Sequence, residues 1–147
     1  MSMRIAICGS IDFTMRIKEI NEALLRMGHK TELPHMTKKI LSGDITMEEF
    51  LGEKNRNGDI GFRKSSGVDL IKRYYNLIQE SDAILVVNMD KKGIRNYIGG
   101  NTLIEMAFAH VLGKRIFLLN GVPEMSYTDE IKDMEPVVIN GDLEKVR

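Results

Sequence analysis

Four short apolar runs, separated by stretches of helical periodicity, constrain this chain more than any other feature. Arg4-Ile-Ala-Ile-Cys8, Ala83–Val87, Arg115–Leu119 and Val137-Val-Ile139 are continuous rather than alternating in character. Such runs mark strands covered on both faces, which occur in parallel sheets flanked by helices. Between them, Thr14–Met27 carries Ile17, Ile20, Leu24 and Met27 at helical spacing and stops at Gly28. Val68–Glu80 places Leu70, Ile71, Tyr74, Tyr75, Leu77 and Ile78 along one helix, and Asn101–Leu112 forms another that stops at Gly113. Thr31-Glu-Leu33, ended by Pro34, reads as a short strand, and Asp129–Met134 as a short helix. Alternation of this kind requires right-handed crossovers. It predicts one domain over residues 1–147: an α/β, flavodoxin/Rossmann-like three-layer sandwich with a parallel sheet of about five strands.

The stretch from His35 to Ser66 is harder to read. Thr46-Met-Glu-Glu49 has capping-box form and predicts a helix start. Glu53 to Gly67 is polar and glycine-punctuated, so a long loop, and with it a lid over the cleft, is expected there.

Composition excludes several function classes. Lys and Arg number 21 and Asp and Glu 21, so there is no basic footprint for a nucleic acid polymer. The pairs Lys38-Lys39, Arg63-Lys64 and Lys91-Lys92 are short and flanked by acids. The one cysteine, Cys8, closes an apolar run and reads as a buried small hydrophobe, and it excludes an intramolecular disulfide. Met1-Ser-Met-Arg-Ile5 leads straight into a strand pattern without a secretory leader, and no apolar run has the length of a bilayer span. A cytoplasmic protein without membrane partners is expected.

In an open α/β sheet, ligands bind beyond the carboxyl ends of the strands, and a helix N-terminus there offers unpaired N–H groups to an anion. Two segments fall at that edge. Gly9-Ser10-Ile-Asp-Phe13 follows the first strand: Gly9 allows close backbone approach, Ser10 offers a hydroxyl, and Phe13 either stacks on a flat ring or packs in the core. Asn88 and Asp90 follow the most apolar strand, ahead of Gly99-Gly100-Asn101-Thr102-Leu-Ile-Glu105. Asp90 is either a general acid or an ordinary loop aspartate. Asp82 precedes its strand and belongs at the opposite end. Thr102-Leu-Ile-Glu105 has capping-box form, with Thr102 as N-cap and Glu105 turned back on it. The alternative points Glu105 into the cleft as a nucleophile for an anomeric carbon.

Neither G-x-x-x-x-G-K-[ST] nor G-x-G-x-x-G occurs, which argues against a P-loop nucleotidase and a dinucleotide cofactor. His29, His35 and His110 lack metal-ligand spacing and read as surface or core histidines. No metal and no cofactor is expected.

Gly9-Ser10-x-x-Phe13 after the first strand, together with Gly100-x-x-x-x-Glu105-Met-Ala-Phe-Ala109 and Gly113-Lys114, resembles the nucleoside 2-deoxyribosyltransferase superfamily, which includes 2′-deoxynucleoside 5′-monophosphate N-hydrolases. The resemblance implies cleavage or transfer at the N-glycosidic bond of a nucleoside or its 5′-monophosphate. It makes Glu105 the nucleophile and the Gly99-Gly100-Asn101 backbone the cradle for the 5′ end, and it sets the base near Phe13 with Asp90 assisting its departure. It also implies a homodimer or higher homo-oligomer in which a neighbouring subunit helps close the site. Two positions depart from the pattern. Gly99 stands where the transferases commonly carry an aspartate, and Tyr74 stands where the hydrolase branch has an acidic residue. The Gly99-Gly-Asn-Thr-x-x-Glu105 segment also shares features with a phosphoribohydrolase signature, without its leading proline. A nucleotide-binding regulatory module on the same scaffold, without turnover, is the reading from another class.

Overall fold

A computed structural model describes residues 2–49 and 69–147. The first strand, β1 (Arg4–Gly9), leads through a 3-10 turn (Ile11–Phe13) into helix α1 (Thr14–Arg26) and the short strand β2 (Lys30–Glu32). Helix α2 (His35–Ser42) follows, then α3 (Leu70–Gln79), β3 (Ala83–Val87), a hairpin of β4 (Met89–Lys91) and β5 (Ile94–Tyr97), and α4 (Gly100–Val111). The chain ends with β6 (Arg115–Leu118), α5 (Thr128–Asp133), β7 (Val137–Val138) and a 3-10 turn at Leu143–Lys145. The main sheet is parallel throughout, in the order β2-β1-β3-β6-β7. Leaving out the hairpin, this is the 2-1-3-4-5 order of flavodoxin-like folds, so the expected three-layer α/β sandwich is what the chain forms.

The pleat sorts the apolar runs onto two faces. Ile5, Ile7, Ala83, Leu85, Val87 and Phe117 point to one side and pack with Ile17, Ile20 and Leu24 of α1. Ala6, Cys8, Ile84, Val86, Ile116 and Leu118 point to the other and pack with Tyr74 and Ile78 of α3, Met106 and Ala109 of α4, and Ile131 of α5. All five residues of β3 are buried because the strand is paired on both edges and covered on both faces. Thr46 does cap a helix start: its hydroxyl accepts from the Glu49 N–H at 3.0 Å. The loop and lid expected between Glu53 and Gly67 lie outside the described residues.

One segment left open by the sequence takes shape, and two local expectations are corrected. Residues His35–Ser42 form α2, with Pro34 as N-cap and Gly43 (φ 85°) closing the last turn. A proline beside a strand end also favours a helix start, and that was the stronger signal here.

The segment after β3 is not a loop but a two-stranded hairpin. Lys91 pairs with Ile94, leaving Lys92 (φ 55°) and Gly93 (φ 73°) as a two-residue turn with both φ positive, the geometry of type I′. β5 carries one extra residue in this register, and Asn96 takes φ 58° at the resulting bulge.

Helix α4 begins at Gly100, with Gly99 as N-cap and no side-chain cap. Thr102 therefore lies inside the helix, and Glu105 is in its second turn, beyond reach of a capping box.

Candidate functional site

The carboxyl ends of β1 and β2, the hairpin and the start of α4 surround a cavity of about 220 Å³. That volume lies just below the range of about 300–1,000 Å³ typical of small-molecule sites, and it suits a small metabolite rather than a large cofactor. Gly9, Ser10 and Ile11 form one wall; Pro34, His35, Met36 and Thr37 another; Leu70, Arg73 and Tyr74 of α3 a third. The hairpin supplies Lys91, Lys92 and Tyr97, and α4 supplies Gly99, Gly100, Asn101, Thr102 and Glu105.

Of the residues singled out from the sequence, Gly9, Ser10, Gly99, Gly100, Asn101 and Glu105 thus meet around one space. Phe13, Asn88 and Asp90 do not line it. Phe13 is 6 % exposed and packs in the core against the α1 face of the sheet. Asn88 is wholly buried: its Nδ2 donates to the carbonyls of Asn120 and Gly121 at 3.1 and 3.0 Å, while its Oδ1 accepts from the Asn120 N–H at 3.0 Å. Asp90 is exposed, and its Oδ1 accepts from the Asn96 N–H at 3.0 Å, holding the bulge residue of β5. Asp82 lies at the opposite end of the sheet and accepts from the Arg4 N–H at 2.8 Å.

Glu105 lies on the cavity lining, yet it is only 7 % exposed. Its carboxylate is in hydrogen-bonding contact with the thiol of Cys8, which projects from the same face of β1. Burial, followed by the neighbouring Glu105 charge and that hydrogen bond, pushes the Cys8 thiol well up, so it stays protonated. Tyr74 is also buried here and donates its hydroxyl to the Ile7 carbonyl. Its phenol is held well above the usual range, first by burial and then by its Cys8 and Glu105 neighbours. Glu105 therefore stands among groups that remain neutral, in a low-dielectric setting that strengthens its interactions with a bound ligand.

Arg73, Lys91 and Lys92 give the rim positive charge. Lys91 is fixed by Asp12 at 2.9 Å and by the Ser10 hydroxyl at 2.7 Å, which ties the hairpin to the β1–α1 turn. The first bond of α4 runs from the Leu103 N–H to the Gly99 carbonyl. The N–H groups of the preceding helical residues are therefore directed out of the helix, toward the cavity end.

His35 Nε2 is buried and has no hydrogen-bond partner among the described residues. Burial, with Arg73, Lys39 and Lys38 nearby, lowers its imidazole below the ordinary histidine range and favours the neutral form. His29 is a structural histidine, accepting at Nδ1 from the Met3 N–H at 3.0 Å, and His110 is exposed. No group of three or more His, Cys, Asp or Glu arranged to hold a metal occurs among the described residues, and no described helix is long and apolar enough to cross a membrane.

Sequence reasoning missed His35, Arg73, Lys91, Lys92 and Tyr97 as lining residues. A signal was present for the last three, since Lys92-Gly93 between Asp90-Lys91 and Ile94 is a two-residue turn read through a lysine instead of an asparagine. Compared with known proteins, the chain finds no match: no family model, no curated protein and no solved structure matches it significantly.

Proposed function

We propose that this protein cleaves or transfers at the N-glycosidic bond of a (deoxy)nucleoside or its 5′-monophosphate, with Glu105 as nucleophile. The observation that carries this reading is a buried glutamate on a cavity lining, one and a half turns into a helix whose uncapped start opens on the same cavity. A carboxylate there attacks the anomeric carbon as the base leaves, and water or a second base displaces it again. The oxocarbenium-like transition state is stabilised by the same carboxylate. Arg73, Lys92 and the N–H groups of α4 favour a ligand bearing a phosphate, so the monophosphate is the preferred form. The vacant hydrogen-bonding capacity of His35 Nε2 suits a polar atom of the base. Asp90 acts through the hairpin it holds.

The resemblance to nucleoside 2-deoxyribosyltransferases supports this reading, as does an apolar outer face for self-association. Ile71 on α3 and Ile104 and Val111 on α4 are exposed, beside an edge-to-face contact of Tyr75 and Phe108. A homodimer is expected by light scattering.

The test is chromatographic detection of base released from 2′-deoxynucleosides and their 5′-monophosphates, with Glu105→Gln as control. Release by wild-type protein, ended in the variant while nucleotide still raises its melting temperature, supports the reading. No release from any of these substrates overturns it, and a thermal shift persisting without release leaves the binding module in its place.

A further inference from the structure

Tyr97 differs from Tyr74, which is buried, and from Tyr127, which like Tyr97 is half-buried. Tyr74 and Tyr127 donate their hydroxyls to backbone carbonyls, of Ile7 and Ile98 respectively. Tyr97 lines the cavity, and its hydroxyl has no hydrogen-bond partner among the described residues. Its ring is nevertheless held in place. The ammonium groups of Lys91 and Lys92 lie 5.4 and 5.7 Å from the ring centroid, within range of a cation–π attraction. Lys91 is itself anchored to Asp12 and Ser10. The bulge at Asn96, pinned by Asp90, sets the direction in which the next residue leaves β5.

Position 99 completes the arrangement. A Cβ on Gly99 would come within 3.3 Å of Tyr97 Cε1 and 3.4 Å of its hydroxyl oxygen. The phenol thus fills the space that a side chain at 99 would take, and glycine is what lets it stand there.

We propose that Tyr97 is a specificity-determining residue: its hydroxyl bonds an oxygen on the sugar–phosphate half of the ligand, either the 3′-hydroxyl or a phosphate oxygen. This rests on the reading of the site as a nucleoside or nucleotide site. The base is attached at the carbon facing Glu105. Tyr97 ends β5 and stands against Gly99, the N-cap of α4, whereas Glu105 lies inside that helix, roughly 7.5 Å along its axis from Gly100. The two lysines beside it complement a ligand oxygen rich in electron density, which belongs to the sugar–phosphate half.

The test is calorimetric binding in a Glu105→Gln background, which keeps the ligand intact, with and without Tyr97→Phe. Three probes are used: a 2′-deoxynucleoside, its 5′-monophosphate, and the 2′,3′-dideoxy 5′-monophosphate. The substitution removes one oxygen that bonds no described residue, so the melting temperature is expected to stay unchanged. A roughly tenfold loss of affinity for both monophosphates, with the nucleoside unaffected, identifies a phosphate oxygen. The same loss for the nucleoside and the deoxy monophosphate, spared in the dideoxy compound, identifies the 3′-hydroxyl. Equal affinities with and without the hydroxyl, or an equal loss for all three probes, overturns the proposal and leaves the site reading standing. Failure of wild-type protein to bind any of the three overturns the site reading, and the role of Tyr97 with it.

Discussion

Two strand-to-helix crossings meet at the same edge of the sheet, one after β1 and one after β3, and they are finished differently. The first is closed by its own side chains. Ser10 accepts from the Asp12 N–H, Thr14 donates to the Ile11 carbonyl at 2.6 Å, and Phe13 fills the core beneath. The second is delayed by a hairpin and then leaves its helix start without a side-chain cap, at two consecutive glycines. A capped start directs its N–H groups into the protein, whereas an uncapped one offers them to whatever enters the cavity. The difference teaches that the cavity-facing crossing is marked by a bare glycine pair directly at its helix start: α1 also begins without a side-chain cap, but behind a 3-10 turn that Ser10 caps. Glu105, buried one turn further in, lines the same cavity.

The largest effect that sharpens this contrast compares Glu105 on the cavity lining with Asp12, which holds Lys91. If N-glycosidic chemistry runs on the second crossing, Glu105→Gln lowers the rate of base release about a thousandfold or more, as loss of a nucleophile does. Asp12→Asn on the first crossing lowers it only a few-fold, since Asp12 acts by holding Lys91. Comparable losses in the two variants, measured by chromatography of released base, break the contrast.

Next comes Phe13→Ala, which is expected to cost about 3–5 kcal/mol in denaturant unfolding, the range for truncating a buried aromatic. Its nucleotide affinity, measured where the variant is folded, stays within a few-fold of wild type. A large loss of affinity without loss of stability would return Phe13 to the ligand site.

A smaller change is expected for Ser10→Ala. Loss of the cap-like bond to Asp12 costs about 1 kcal/mol, and unfolding by denaturant checks it. Gly100→Ala is the partner experiment. No heavy atom outside its surroundings lies within 4 Å of a Cβ built there, so stability holds or rises by up to about 1 kcal/mol. A fall in stability shows that the second start is more tightly enclosed than the contrast requires.

The smallest effect concerns the second wall. His35 has a lowered imidazole pKa through burial and the Arg73, Lys39 and Lys38 charges. Its neutral form is favoured in the fold, so the unfolded chain takes up the proton more readily as pH falls. The resulting stabilisation is present above the ordinary histidine value of about 6.5 and is lost as pH drops through the folded value. His35→Asn should therefore show a flatter melting temperature between about pH 7 and 5 than wild type. A proton NMR titration of the His35 ring with a midpoint at or above about 6.5 contradicts this.

The parallel sheet was legible because each strand carries its own statement of burial. Ala83–Val87 is apolar at every position, as only a strand covered on both faces is, and Ile17, Ile20 and Leu24 repeat at the helical period. The cap at Thr46 was legible because it depends on residues three apart. The hairpin was not. Its turn places a lysine at positive φ, where asparagine or aspartate is the usual sign, and its strands are too short and polar to alternate clearly. The start of α4 was misread because Thr102 and Glu105 satisfy a local pattern that the two preceding glycines override by beginning the helix earlier. The cavity walls were only half legible for a different reason. Gly9, Ser10 and Gly99–Asn101 follow from strand ends, but Arg73, His35 and Tyr97 arrive from elements whose relative placement is fixed by packing, not by neighbours in the chain.

The reciprocal pairing of Asn88 and Asn120 has a consequence for how this molecule can change over generations. Asn88 gives its amide to the 120–121 backbone, and Asn120 returns its own to the Asn88 carbonyl at 2.8 Å. Every one of these bonds joins a side chain to main chain, so altering one residue leaves the other's side-chain bonds in place but strands the main-chain groups its own side chain served. Each asparagine is therefore expected to persist on its own account among descendants of this chain, with no change at the other position able to compensate its loss. Anyone grafting the lysine- and tyrosine-bearing hairpin onto another scaffold would have to carry both asparagines with it.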